Sequence, residues 1–278
     1  MVVKPPLKVT KAISILPRVL VWTKPVVSGQ GTVVSSEPTT NEKLAIDALT
    51  KLGAYYKVVH TESEFIEHMR SGYYNTYALL DTGKPTTDGL TTELVEKVYG
   101  GDSLVLTGSS SMDDIKISEI TGTKFTGYLP DGVRTATIGM PFYEQPVNIT
   151  TAGKAQKATI TSATAYASGA IADIYLSVIV NGYGKGKGVL VAFDLGKSSD
   201  SANDMTTYSA LFGRIIGNTA PIETRLIPEG VAPVEITVES IGSAFDLNVV
   251  EKADSRMAIL DAALNGSIDS INSTVTWS

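Results

Sequence analysis

The feature of this sequence that most constrains its fold is a regular alternation of short apolar runs with helix-like segments. Four runs have the length and β-branched or aromatic content of buried strands: RVLVW (18–22), AYYKVVH (54–60), TYALLDT (76–82) and DSLVLTG (102–108). The segments between them have helical periodicity. Strands joined by helices form right-handed crossovers, so the sequence predicts an α/β domain with a mainly parallel sheet and helices on both faces.

The first of these helices is the best defined. In EKLAIDALTKLG (42–53), Leu44, Ala45, Ala48, Leu49 and Leu52 fall on one face, and Gly53 supplies a stop signal. Asn41 precedes the helix and is a residue type that caps helix N-termini. We therefore expect Asn41 to be the N-cap.

The pattern changes between Thr121 and Ile171, where Thr-rich alternating segments are separated by Gly and Pro. This pattern predicts an antiparallel β insertion late in the domain. A β-hairpin follows at 173–196, with NGYGKGKG (181–188) as its loop. The loop lacks the GxxxxGK[ST] motif, so a flexible tip is favoured over a phosphate-binding loop. A helix at 205–218, MTTYSALFGRIIGN, closes the domain.

The chain after Pro228 has four β-like segments: VEITVESIG, FDLNVVEKA, RMAILDAAL and INSTVTWS. They predict a β-sandwich-like module at 229–278 that is truncated at its end. The α/β domain is assigned to 18–224, and residues 1–17 to an N-terminal extension or the end of a preceding β module. Scarce charge, no cysteine and many Ser, Thr and Gly residues suggest one piece of a larger, extracytoplasmic bacterial protein, periplasmic or on the cell surface, and the start of the sequence has no signal-peptide pattern.

Composition excludes several classes of function. With 23 Lys and Arg against 29 Asp and Glu, the net charge is −6, which disfavours nucleic acid as a partner. The sequence has no cysteine, so disulfides, thiolate zinc sites and a cysteine nucleophile are excluded. No apolar stretch approaches the roughly 20 residues that span a bilayer. We predict no membrane insertion and no cofactor.

The most suggestive candidate site is the segment LVLTGSSSMDD, in which a buried strand runs into Gly108 and three serines. Ligands of open parallel sheets bind beyond the carboxyl ends of the strands. A sharp turn there would expose the Ser110 hydroxyl as a nucleophile, with His60, at the end of the second strand, as the candidate base. The alternative is a tight turn in which Ser or Asp caps the next helix.

Two weaker candidates are a metal site and an adhesion module. Asp194, Asp200 and Asp204 lie in one loop, and carboxylate clusters hold calcium or magnesium, although the spacing matches no EF-hand. The aromatics Tyr128, Tyr143 and Tyr166, together with this loop, would form a calcium- or carbohydrate-dependent adhesion module. Helix capping is the simpler role for acids in this loop.

The order of elements and three short segments resemble the class I glutamine amidotransferase-like fold, a flavodoxin-like α/β sandwich. The family's nucleophile elbow reads G-x-C-x-G, and here Gly108, Ser110 and Met112 stand in its three defined positions. The resemblance implies oxyanion-binding N–H groups at Gly83, in Asp81-Thr82-Gly83, and at Ser111. The family's F-H-P-E segment corresponds to Phe193-Asp194-Leu195-Gly196.

The departures from the family pattern bear on activity. Ser110 replaces the cysteine, and Asp194 and Gly196 replace the histidine and glutamate. Losing such a catalytic unit costs many orders of magnitude in rate. An aspartate with an ordinary pKa, about 3.9, is too weak a base to replace the imidazole. The sequence therefore predicts a non-catalytic domain, a pseudoenzyme, that binds an unknown ligand or protein at the sheet edge or contacts neighbouring β modules; a Ser110 hydrolase or amidase is the alternative.

Overall fold

The computed structural model describes residues 8–13, 17–24, 38–82, 85–87, 89–108, 114–221, 234–239, 249–252, 267–269 and 274–277. The chain divides into two compact units. One comprises Ile15–Ala232, and the other combines Met1–Ser14 with Pro233–Ser278.

The helices are α1 (Thr40–Leu52), α2 (Glu62–Arg70), α3 (Leu90–Tyr99), α4 (Ile115–Thr121), α5 (Leu195–Ala202) and α6 (Met205–Thr219). The first five strands along the chain are β1 (Lys8–Ile13), β2 (Arg18–Thr23), β3 (Tyr55–Val59), β4 (Thr76–Leu80) and β5 (Ser103–Thr107). The later strands are β6 (Thr123–Tyr128), β7 (Arg134–Ile138), β8 (Val147–Thr151), β9 (Gln156–Ile160), β10 (Ala165–Ala167), β11 (Ala170–Ile171), β12 (Tyr175–Leu176), β13 (Val178–Tyr183), β14 (Gly186–Val191), β15 (Val234–Glu239), β16 (Val249–Lys252), β17 (Ser267–Asp269) and β18 (Thr274–Trp277).

The main sheet has seven strands in the order β10-β13-β14-β5-β4-β2-β3. Its five strands from β14 to β3 are parallel, and β13 and β10 extend it in antiparallel fashion. Numbered along the chain, the parallel strands lie in the order 2-1-3-4-5, which is the flavodoxin order. The predicted fold class is confirmed.

Helices cover both faces of this sheet, as predicted. Alternate strand residues point to opposite faces, so Val19 and Val21 pack in the core with α1 and α6, while Leu20 and Trp22 pack in the core with α2, α3 and α4. Phe212 of α6 is fully buried in the first core. No helix in the described part of the chain is long and apolar enough to cross a membrane.

The start of α1 differs from the sequence prediction. Thr39 is the N-cap, and its side chain accepts a hydrogen bond from the backbone N–H of Glu42. Asn41 lies inside the first turn, so the expectation that it caps the helix was wrong. Either residue type suits an N-cap, and the tertiary contacts of Asn41 described below decide between them.

The glycine-rich segment 181–188 is strand rather than loop. β13 and β14 pair up to Tyr183 and Gly186, which leaves only Gly184 and Lys185 in the turn. The Asn181 side chain donates to the carbonyl of Ile120 (2.9 Å), and a Cβ built at Gly188 would lie 2.7 Å from that carbonyl carbon. The predicted hairpin is present, but the expectation that 181–188 forms its loop was wrong, because Asn181 and Gly188 lie in the strands and pack against Ile120 at the end of α4.

The late antiparallel insertion is confirmed. β6 pairs with β9, and β12, β11, β7 and β8 form a four-stranded sheet. α6 follows at the predicted place and buries Tyr208, Leu211, Phe212 and Ile215.

The other compact unit consists of strands in its described residues. β1 pairs antiparallel with β15, and β16, β18 and β17 form a three-stranded sheet. Three of the four predicted β-like segments thus contain strands, and β17 lies outside them. The fourth segment, RMAILDAAL (256–264), falls outside the described residues.

Candidate functional site

The carboxyl ends of the parallel strands meet at one edge of the sheet. In the register of the sheet, Thr107 at the end of β5 lies between Leu80 of β4 and Val191 of β14, and Leu80 also pairs with Thr23 of β2. The residues that follow these strands are therefore neighbours in space. They include Asp81, Gly108 and Asp194.

Asp81 and Asp194 both pack against Gly108. A Cβ built at Gly108 would lie 3.2 Å from Asp81 Oδ1 and 3.4 Å from Asp194 Cβ. Gly108 also has a φ of 62°, in the left-handed region. Two features of the turn after β5 therefore favour glycine: its left-handed backbone, and the two acids that pack against the place where a Cβ would lie.

Asp194 is held in place by α1 and by its own helix. It is the N-cap of α5, and its Oδ1 accepts from the backbone N–H of Lys197 (2.9 Å) and from Asn41 Nδ2 (3.2 Å). Asn41 Oδ1 in turn accepts from the backbone N–H of Gly196 (2.9 Å). Both N–H groups are first-turn groups of α5 that lack partners within the helix. The Asn41 side chain therefore joins α1 to the start of α5.

The environment changes the acidity of Asp194. Burial raises the pKa of its carboxyl to about 6, and the neighbouring Asp81 carboxyl raises it too, against the lowering effects of the Lys197 N–H and the Asn41 amide. The expectation that Asp194 has an ordinary pKa was therefore wrong. Its carboxyl titrates close to neutral pH.

Gln156 is a further buried polar residue at this edge, and the sequence analysis missed it. Its side-chain amide donates to the carbonyl of Gly108, and its backbone N–H donates to Ala192 (2.7 Å). Its Oε1 and the neighbouring Thr107 Oγ1 are buried and have no hydrogen-bond partner in the structure as described. A β-strand residue that reaches the elbow from a separate sheet leaves no pattern in the sequence.

His60 lies away from this cluster. It follows β3, and its Nε2 is 2.9 Å from Glu42 Oε2. β3 is three strands from β5, and neighbouring strands are about 4.8 Å apart, so about 14 Å separates the two strand ends. The structure brings together Asp81, Gly108 and Asp194 and leaves His60 outside.

The other acids of the proposed metal loop have separate roles. Both Asp200 oxygens accept from Thr40 Oγ1 (3.0 and 2.9 Å), and Asp204 caps α6 by accepting from the Thr207 N–H (3.1 Å). Among the described residues no group of three metal-ligating side chains occurs. Asp114 caps α4.

The remaining predicted residues divide into two groups. Ser110, Ser111 and Gly83 lie outside the described residues. The three tyrosines lie on different parts of the fold: Tyr128 is in β6, Tyr166 is in β10, and Tyr143 lies under the guanidinium of Arg214, 4.7 Å from its ring centre.

Comparisons with known proteins found similar folds among solved structures. Solved structures with a similar fold include a cytoplasmic protein from Salmonella typhimurium, with 12% identity, a TM-score of 0.56, and coverage of 74% of this chain and 100% of that one. A ThuA-like protein from Bacteroides uniformis matches with 12% identity and a TM-score of 0.52, over 73% of this chain and 92% of its own. The fold is amidotransferase-like. ThuA-like proteins share that fold, and at this identity the likeness shows the fold alone.

A third similar structure is a β-galactosidase from Bacillus circulans sp. alkalophilus, with 13% identity and a TM-score of 0.52. The match covers 94% of this chain but only 41% of the enzyme. No protein-family model and no curated protein matches the sequence.

The Asn41 link gives a first prediction. Asn41→Ala should lower the free energy of unfolding by about 1–2 kcal/mol, because the Gly196 N–H and the Asp194 carboxyl each lose a partner in a half-buried place. Thr40→Ala is the matched control, since it removes only exposed hydrogen bonds to Asp200 and should cost about 0.5 kcal/mol or less. Urea unfolding measures both, and equal losses in the two variants would contradict the assigned role.

Proposed function

We propose that this chain is a non-catalytic amidotransferase-like domain that serves as a binding or structural unit of a larger exported bacterial protein. The observation that carries the proposal is the position of Asp194 and the hydrogen bonds that hold its carboxyl. It occupies the position that the resemblance gives to the catalytic histidine, and its Oδ1 is engaged by Asn41 and by the first turn of α5. A carboxyl held in this way, against a second acid, is a poor substitute for a mobile imidazole base.

The surroundings support the same proposal. His60, the remaining candidate base, pairs with Glu42 after β3, the edge strand of the main sheet. The carboxyl edge itself is where ligands of doubly wound sheets bind. A ligand or partner protein would therefore meet Asp81 and Asp194 at this edge.

A second candidate function follows from one observation, the pKa of Asp194 near 6. A carboxyl with this pKa is a stronger base than an ordinary aspartate and is ionised at neutral pH. In this alternative the protein is a serine hydrolase in which Asp194, rather than His60, activates Ser110.

Labelling with a fluorophosphonate probe, together with ester hydrolysis and ammonia release from glutamine, separates the two candidates. We expect no labelling and no turnover that differs between the wild type and Ser110→Ala. Labelling that is lost in Ser110→Ala, with turnover that rises through about pH 6 and disappears in Asp194→Asn, would replace the first proposal by the second.

The assignment to a larger exported protein has its own test. Immunoblotting of fractionated producing cells should detect the domain in a chain well above 29.4 kDa, in the periplasmic or surface fraction. A cytoplasmic band at the mass of the isolated chain would contradict it.

A further inference from the structure

A groove of about 560 Å³ lies between α6 and the segment 141–145, which follows β7. On α6 the groove is lined by Arg214 and Asn218. The Asn218 carbonyl accepts from Lys187 Nζ (2.9 Å), and Lys187 pairs with Ser103 at the start of β5. This end of α6 therefore lies at the amino edge of the parallel strands, and the groove is separate from the carboxyl edge described above.

The guanidinium of Arg214 is held on two sides. Its Nη1 donates to the carbonyl of Phe142 (3.1 Å), and its Cζ lies 4.7 Å from the centre of the Tyr143 ring. Phe142 is buried in the core, and the N–H groups of Phe142 and Tyr143 both donate to the carbonyl of Gly139 (3.1 Å each). The wall of the groove is thus fixed by the core, and it sets the direction of the guanidinium.

One edge of this guanidinium remains available to a ligand. Arg214 is exposed, and no acid among the described residues forms an ion pair with it. Its Nε and Nη2 have no hydrogen-bond partner in the same part of the chain. Arg70 shows what this edge can hold, because its Nε and Nη2 donate to the two carboxylate oxygens of Glu93. An arginine that is oriented beforehand binds a planar carboxylate through two parallel hydrogen bonds.

The rest of the groove supplies partners for hydroxyl groups. Glu144 and Gln145 are exposed there, and neither makes a hydrogen bond to another described residue. Asn218 donates from its Nδ2 to the carbonyl of Arg214 (2.8 Å), which leaves its Oδ1 as an acceptor. Amide side chains donate and accept, and a carboxylate accepts, so together these groups match a ligand with several hydroxyls. The charge of Glu144 also disfavours a ligand with a high negative charge, such as phosphate.

We propose that this groove binds a small carboxylate that carries hydroxyl groups, which is the chemistry of a sugar acid. The ligand carboxylate lies on the Nε–Nη2 edge of Arg214, and the ligand hydroxyls contact the polar side chains that share the groove. The volume of the groove falls within the range of small-molecule sites. The inference goes beyond the proposed function, because that function places its ligand or partner at the opposite edge of the sheet.

Nuclear magnetic resonance of the full ¹⁵N-labelled chain tests the site, with sodium glucuronate as the probe. We expect the Nε–H signal of Arg214, assigned by its loss in Arg214→Lys, to shift and to saturate at millimolar glucuronate. The Arg70 signal should stay in place, because Glu93 already occupies that edge. Glucose, which lacks the carboxylate, should cause no shift. Acetate, which lacks hydroxyls, and phosphate should bind about tenfold more weakly than glucuronate, or weaker still.

Three variants complete the test, with binding read from the backbone amide signals of 141–145. Arg214→Lys should weaken glucuronate binding about tenfold or more, because an ammonium cannot make the two parallel bonds. Gln145→Ala removes an exposed side chain without protein hydrogen bonds, so it should fold normally, weaken glucuronate binding several-fold and leave acetate binding unchanged. Arg70→Lys is the matched control and should bind glucuronate like the wild type.

Several results would overturn the proposal. One is an Arg214 signal that does not shift with glucuronate, and another is an Arg214→Lys variant with wild-type affinity. Equal binding of glucose, acetate or phosphate would reject the assigned ligand class, as would wild-type affinity in Gln145→Ala. Failure of this site leaves the proposed function at the carboxyl edge standing, whereas Ser110-dependent turnover would overturn that function alone.

Discussion

Asp194→Asn is expected to stabilise the protein at alkaline pH and to leave its stability near pH 4 almost unchanged. The folded pKa of Asp194, about 6, lies above the unfolded value of about 3.9. The folded state therefore holds the proton more tightly, and this stabilisation is fully present below about pH 4 and is lost as the pH rises through about 6. Asparagine mimics the protonated side chain at every pH and keeps the N-cap.

The size of the effect follows from the shift. A displacement of about two pKa units corresponds to roughly 3 kcal/mol, and partial solvation and relaxation reduce this to about 1–3 kcal/mol at pH 8. Urea unfolding at about pH 4 and about pH 8 measures it.

Asp204→Asn is the control for this experiment. Asp204 is also the N-cap of a helix, but its hydrogen bonds with Thr207 lower its pKa, so its replacement should give no gain at alkaline pH. A gain of the same size in both variants would show that the effect belongs to net charge and not to the site.

Gly188→Ala is expected to destabilise the protein severely. The added Cβ would lie 2.7 Å from the Ile120 carbonyl carbon and 2.8 Å from Ile120 Cγ2. The backbone at the end of α4 cannot shift to relieve this clash without disturbing its own packing. Inserting atoms into a packed core costs 1–3 kcal/mol and sometimes more. We expect a loss of about 3 kcal/mol or more here, because the closest atoms are backbone. Thermal and urea unfolding of the purified variant measure this loss.

Gly182→Ala is a closely matched control. Gly182 lies in the partner strand of the same hairpin, and a Cβ there would meet only Thr164 Cβ at 3.9 Å. Its replacement should change stability by about 0.5 kcal/mol or less, or stabilise slightly by restricting the unfolded chain. Similar losses at Gly182 and Gly188 would contradict the packing explanation and would indicate that the hairpin needs flexible glycines.

The sequence predicted elements whose signals are local. Period and length located β2 to β5, and the apolar stripe of Leu44, Ala45, Ala48 and Leu49 located α1. The change of pattern after Thr121 located the antiparallel insertion. These signals repeat over several residues, so one misplaced residue does not erase them. Boundaries were weaker, as the shift of the α1 N-cap from Asn41 to Thr39 shows.

Site properties were harder to predict, because each depends on contacts between distant parts of the chain. Asn41 and Asp194 are 153 positions apart in the sequence. The side chain of Asn41 bonds to Asp194 and does not cap α1, as its position had suggested. The pKa of Asp194 depends on its burial and on Asp81. Gln156 reaches Gly108 from another sheet. None of these pairs has a fixed spacing that a sequence pattern records.

The sequence by itself determined the α/β class, the parallel strands β2 to β5 and the place of α6, because hydrophobic periodicity is a pattern of residues that are close together in the sequence. Only the tertiary structure decided that β14 is the fifth parallel strand and that its glycines fit beneath α4. Only the tertiary structure shows that Asp81 and Asp194 pack against the turn at Gly108. The physical reason is that burial, close backbone approach and charge coupling belong to the packed chain, and local sequence does not encode which distant residues will meet.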